Sequence, residues 1–149
     1  MAFKNKLFTL AILLLTGLMI QAQSGGSWKI VLNKKAVVKG DSGSGDTMNN
    51  VLPIKKADLS NNGIFRIEYD RKQEPGGWQR SIAIFDTLES AIAQRDSTNT
   101  LELYNKDLLK ILWSRKKVFI YTWSAPLDKG TAAAIRIRRI KLCTVELAD

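Results

Sequence analysis

Apolar side chains recur at every second position in several short runs of this chain, the spacing of a half-buried strand rather than of a helix. Residues 28–33 open the series, and 36–39 continue it beyond a kink or bulge. Between 64 and 70, Phe65, Ile67 and Tyr69 share one face while Arg66, Glu68 and Asp70 share the other. Residues 78–86 form another run around Ile82 to Phe85, and the turn chemistry of Glu74, Pro75, Gly76 and Gly77 suggests that 64–70 and 78–86 pair as an antiparallel hairpin. Residues 51–57 contain Pro53, which cannot donate to a sheet ladder, so a strand there belongs at an edge.

The run 118–123 is the richest in branched and aromatic residues. Its alternation sets Phe119, Tyr121 and Trp123 against Val118, Ile120 and Thr122, and the aromatic row is expected to fill the core. The last run, 134–147, spaces Ile135 and Ile137, then Ile140 and Leu142, two apart. One extra residue at Arg138 and Arg139 would bring all four to one face, which predicts a β-bulge there.

Helical spacing is sparse. Asp86, Thr87, Leu88 and Glu89 have the spacing of a capping box and predict a helix over about 87–95. Asn105 can cap a helical turn or two through Lys106 to Trp113. Asn61, Asn62 and Gly63 supply a turn, residues 96–100 a loop, 101–104 a short strand and 124–130 a further loop. Residues 40–50, rich in Gly and Ser, form a loop expected to be mobile. The expected fold is all-β: an antiparallel two-sheet β-sandwich of jelly-roll or immunoglobulin-like type with one or two short helices, the alternative being α+β.

The N-terminal pattern is different. Lys4 and Lys6 precede an uncharged apolar run from Leu7 to Ile20, and Ala22 offers a small residue at a cleavage point. These are the features of a secretory signal peptide over residues 1–22, and the run is short for a membrane-spanning helix. A flexible tether at 23–27 would then lead into one domain at 28–149, secreted or periplasmic and not integral to a membrane after cleavage. Removing the leader leaves 127 residues, enough for a single core.

The whole chain carries a formal charge of +9, and losing Lys4 and Lys6 with the leader leaves +7. This balance favours anionic partners, and export makes nucleic acid the poorest of them. With no histidine and a single cysteine, Cys143, the chain lacks the commonest general base and the commonest transition-metal ligands, and can form no internal disulfide. Cys143 is expected to serve as a small core residue. No cofactor or metal is expected, and no catalytic residue is assigned.

Gly40, Asp41, Ser42 and Gly43 resemble the nucleophile segment of chymotrypsin-like serine proteases, but that mechanism needs a histidine to take the serine proton. Asp41 and Asp46 in the same loop do not have EF-hand spacing. Glu68, Asp70 and Asp86 could serve a small carboxylate-dependent hydrolase, although Arg66 is placed to neutralise its neighbours in a salt-bridge row.

Four tryptophans and a basic stripe carry the strongest functional signal. Arg136, Arg138, Arg139 and Lys141 in the last run could receive carboxylate, sulfate or phosphate, or could simply keep an edge soluble. Trp28 and Trp78, at turn-proximal ends of strands, are candidates to stack on a sugar. The expectation is a non-enzymatic binding module for an anionic or carbohydrate ligand, the alternatives being the hydrolase and a structural or assembly protein that meets a cell-surface partner by an exposed strand edge.

Overall fold

The computed structural model describes residues 26–43, 50–70 and 74–148. The expected leader, most of the tether and Asp46 lie outside the described residues. Nine strands form two sheets. The first holds β1 (Ser27–Leu32), β2 (Lys35–Asp41), β4 (Ile64–Asp70) and β7 (Thr100–Tyr104) in the order β2-β1-β4-β7. The second holds β3 (Val51–Lys55), β5 (Trp78–Phe85), β6 (Ala91–Asp96), β8 (Lys117–Pro126) and β9 (Ile140–Ala148) in the order β3-β9-β8-β5-β6.

Every pair is antiparallel except β3 with β9, so the second sheet is mixed and the expectation of a wholly antiparallel architecture is corrected. β3, with Pro53, does run at an edge.

One core lies between the sheets. Trp28, Ile30, Phe65, Ile67, Tyr69 and Leu101 enter it from the first sheet, and Ile54, Ile82, Ile84, Val118, Ile120 and Val145 from the second. Helix α1 (Asn105–Arg115) adds Leu108 and Leu112 at helical spacing, and Leu59 enters from a 3-10 turn at Lys56–Leu59. Each fully buried aliphatic side chain contributes about 1.5–3 kcal/mol relative to exposure. Cys143 lies in this core as expected, and burial pushes its thiol pKa up to about 12.

Four local expectations are overturned. First, β4 and β5 do not form a hairpin: β4 fills both its edges with β1 and β7, while β5 pairs with β6 and β8 in the other sheet. Second, residues 87–95 are not helical. The Asp86 carboxylate accepts N–H bonds from Leu88 and Ser90, each at 2.9 Å, and its own N–H donates to the Ser90 carbonyl at 3.0 Å. With Glu89 at φ 60, these bonds close a tight turn between β5 and β6. The side chain that could have capped a helix makes an Asx turn instead, and it also pairs with Arg115 of α1.

Third, the run 134–147 is interrupted. α2 (Lys129–Ala134) is capped by Asp128, which accepts the Thr131 N–H at 2.7 Å. Residues 135–139 then run outside any ladder, with Ile135 and Ile137 exposed, and β9 begins at Ile140. Fourth, a bulge exists but at Leu142. Ile120 faces Cys143 and Tyr121 faces Lys141, which leaves Leu142 as the extra residue, turned into the core.

At one end of the fold three segments meet around Asn105. Its amide nitrogen donates to Asn33 Oδ1 at 2.7 Å and Asn61 Oδ1 at 2.6 Å, joining the β1–β2 turn and the turn before β4 to the start of α1. Asn105 is thus the first helical residue rather than the cap, which is Tyr104. A Cβ at Gly63 would lie 1.7 Å from Asn33 Oδ1, so only glycine lets these segments converge.

Gly63→Ala is therefore expected to destabilise the protein by roughly 1–3 kcal/mol in denaturant melts, the usual cost of forcing extra volume into a packed site. A second expectation concerns acid. The Ser90 and Leu88 N–H groups and the Arg115 guanidinium hold the Asp86 carboxyl below its ordinary range. Its contribution to stability is then complete above the ordinary carboxylate pKa of about 4 and is lost as pH falls through the lower folded value. Melting temperatures between pH 6 and pH 2 should fall less steeply for Asp86→Asn than for the unaltered protein.

Candidate functional site

The alternation of β8 decides what each sheet face presents. Val118, Ile120 and Thr122 are buried on the core side, so Phe119, Tyr121 and Trp123 lie on the opposite face, half-buried. The expectation that this row fills the core is overturned, for aliphatic and threonine side chains line the core here instead. Residues directly opposite share a face. Phe85, Ala83 and Ser81 of β5 therefore join the row on one side, and Thr144 and Lys141 of β9 on the other.

The outer face of the second sheet is thus an aromatic centre with a polar rim. Phe85 and Tyr121 meet edge to face with centroids 5.5 Å apart, and Phe85 and Trp123 at 6.3 Å. Ser81 Oγ donates to Asp96 Oδ1 at 2.6 Å, and Gln94 Nε2 donates to the same oxygen at 2.9 Å.

Two residues of the expected basic stripe close over this face. The Arg139 guanidinium lies 5.0 Å from the Phe85 centroid and 5.7 Å from that of Tyr121, and reaches Glu89 at 3.4 Å. The Lys141 ammonium lies 4.4 Å from the Phe119 centroid. Cations over ring faces gain from the ring quadrupole while their remaining donors stay available. Arg136 and Arg138 are exposed on the 135–139 connector, before β9 begins, so the four basic residues do not form one strand-borne row.

The two tryptophans named as candidates lie elsewhere. Trp28 is 2% exposed and belongs to the core, so its expected exposure does not hold. Its ring lies against Gly40, where an added Cβ would come within 2.7 Å. Trp78 is half-buried at the end of β5 and lines a hollow of about 290 Å³ with Glu74, Arg80, Asn99 and Leu127.

That end of the sheets holds a buried ion pair. Arg80, 3% exposed, bonds Glu74 at 2.6 Å through Nε, Thr122 at 2.9 Å and Ser124 at 2.8 Å, and stacks 4.0 Å from the Tyr69 ring of the facing sheet. All three guanidinium nitrogens are therefore bonded to Glu74 and to β8 of the same sheet, and the stacking on Tyr69 is what reaches the other sheet. Ser42, in the segment resembling a protease nucleophile, has its hydroxyl tied to the Gly26 carbonyl at 3.0 Å and Tyr69 Oη at 2.8 Å.

The carboxylates proposed for hydrolysis are spread over both sheets. Lys29 at 2.8 Å, with Arg66 beyond it, holds Glu68 below the ordinary carboxylate range in the expected salt-bridge row. Asp70 is exposed at the end of β4, and Asp86 serves the β5–β6 turn. Asp86 belongs to the other sheet from Glu68 and Asp70, and Glu68 and Asp86 are both held below the ordinary carboxylate range, away from that of a general acid.

What the sequence reading missed is Phe85 as a member of the aromatic face and Glu89 as the tether of Arg139. Neither carries a motif, because Phe85 comes to the site through strand register and Glu89 through the β5–β6 turn. Compared with known protein families and with curated proteins, the chain matches none.

Arg80→Ala is expected to cost roughly 3–5 kcal/mol in chemical denaturation, because it removes the cation paired with Glu74 and the donors that Thr122 and Ser124 accept beside the core. The double change Arg80→Met with Glu74→Gln should recover most of that loss, which a double-mutant cycle would measure.

Proposed function

We propose that this chain is a non-enzymatic binding module, secreted or periplasmic, whose two sheets stack as a sandwich and whose outer aromatic face receives an acidic carbohydrate. The observation that carries this reading is the row Phe119, Tyr121 and Trp123 turned away from the core with Arg139 and Lys141 laid over it. Among the described residues, cations lie over Phe119 and Tyr121 but none over Trp123, which is the ring offered to a sugar. Arg139 and Lys141 then meet a carboxylate or sulfate on the same chain. The planar guanidinium suits a bidentate anion, and its present link to Glu89 is long at 3.4 Å, so it is readily exchanged. The leader-like residues 1–22 and the charge of +7 beyond them support an extracytoplasmic anionic partner.

Titration with an acidic polysaccharide such as a polyuronate should change intrinsic tryptophan fluorescence and retard the protein in affinity electrophoresis. Arg139→Ala should weaken retention about ten- to a hundred-fold, from the roughly 1.5–3 kcal/mol of a hydrogen bond to a charged group. Trp123→Ala should weaken acidic and neutral versions of the same glycan alike. Unchanged fluorescence and mobility across a panel of both kinds would overturn the reading.

A further inference from the structure

The exposed face of α1 is a second surface with a distinct character, independent of the sheet face described above. Leu108 and Leu112 turn the helix toward the core, which leaves Lys106, Lys110 and Trp113 together on the solvent side at helical spacing. Trp113 is 57% exposed and Tyr104, at the N-cap, 60% exposed. Large aromatic side chains standing this far into water leave apolar area uncovered at both ends of the helix.

Each ring is accompanied by lysine. Lys56, from the 3-10 turn, lies 4.8 Å from the Trp113 centroid, Lys116 lies 5.3 Å from it, and Lys106 lies 5.5 Å from the Tyr104 centroid. The nearby acids are engaged: Asp107 pairs with Lys110 at 3.7 Å, and Asp58 accepts the Lys55 N–H at 3.3 Å.

We propose that this face docks the protein peripherally on an anionic bilayer surface, with Trp113 seated at headgroup depth and Lys56, Lys106, Lys110 and Lys116 over anionic lipid. A convex helix face meets a flat partner along its length and has no groove to hold a polymer chain. Tryptophan and tyrosine favour the membrane–water boundary because the ring is apolar and one atom is polar, and lysine stems lie along apolar surface while the ammonium reaches the charged layer. Four ammonium groups on one side supply the electrostatic part, which screens with salt. No helix among the described residues is long and apolar enough to cross a membrane, so contact through this face is superficial.

Cosedimentation of the full chain with vesicles of phosphatidylcholine alone, and of phosphatidylcholine with phosphatidylglycerol, tests this. Residues 1–22 are common to every variant, so the readout is the ratio of binding to the two vesicles, compared between variants at low salt. The ratio should fall about five-fold for each of Lys56→Gln, Lys106→Gln and Lys110→Gln. Trp113→Phe should reduce the blue shift of tryptophan emission on phosphatidylglycerol vesicles. Lys35→Gln, a matched loss of charge on β2, should leave the ratio unchanged. A ratio equal in all variants, or one that falls as much for Lys35→Gln, overturns the proposal. So does binding to a soluble acidic polysaccharide that depends on Lys106 and Lys110 while vesicle binding does not.

Discussion

Period-two alternation along β8 governs more of this protein than any other interaction. Val118, Ile120 and Thr122 anchor the strand to the core, and the same geometry obliges Phe119, Tyr121 and Trp123 to stand on the far side. The neighbours follow through register. β5 brings Ile82 and Ile84 inward and Ala83 and Phe85 outward, and β9 does the same with Cys143 and Val145 against Lys141 and Thr144. A slip of one residue in either ladder would exchange the two faces, so core and outer surface are specified by a single arrangement. The bulge at Leu142 allows β9 to hold that arrangement while still burying one more apolar side chain.

Where the sheets part, polar side chains replace apolar ones as the joining material. At one end Arg80 reaches from β5 to the Tyr69 ring of the facing sheet and is satisfied by Glu74, Thr122 and Ser124. At another point Asn105 draws two turns toward α1, and Gly63 makes the room. Such groups are tolerated in a dry setting only when their hydrogen bonds are made, so each cluster has few acceptable geometries. They fix direction where hydrophobic contact alone would permit sliding.

Much of the strand content was legible because alternation is a local signal. Residues 64–70, 78–86 and 118–123 read as strands and hold β4, β5 and β8, Pro53 marked an edge, and the helical turns read through Lys106 to Trp113 lie in α1. The failures arise where one pattern serves two structures. Asp86 has the spacing of a helix cap and makes an Asx turn, a choice settled by the pairing of β6 with β5. The 134–147 run looks continuous, yet Asp128 caps a helical turn and postpones the strand to Ile140. The aromatic row of β8 was recognised as a face, but alternation is symmetrical and does not say which side is inward. Phe85, on β5, and Arg139, on the connector before β9, converge from positions distant in sequence, and no local pattern announces that meeting.

The parallel pairing of β3 with β9 ties the early part of the chain to its last strand, from Val51 beside Thr144 to Lys55 beside Ala148. Ile54 can obtain its lateral partner only after β4 to β8 have been laid down between them. Closing so large a loop is entropically slow, and the ladder cannot begin from the N-terminal side as the polypeptide emerges. With this connectivity the outer flank of the second sheet stays unlatched at β3 until β9 has been delivered beside it.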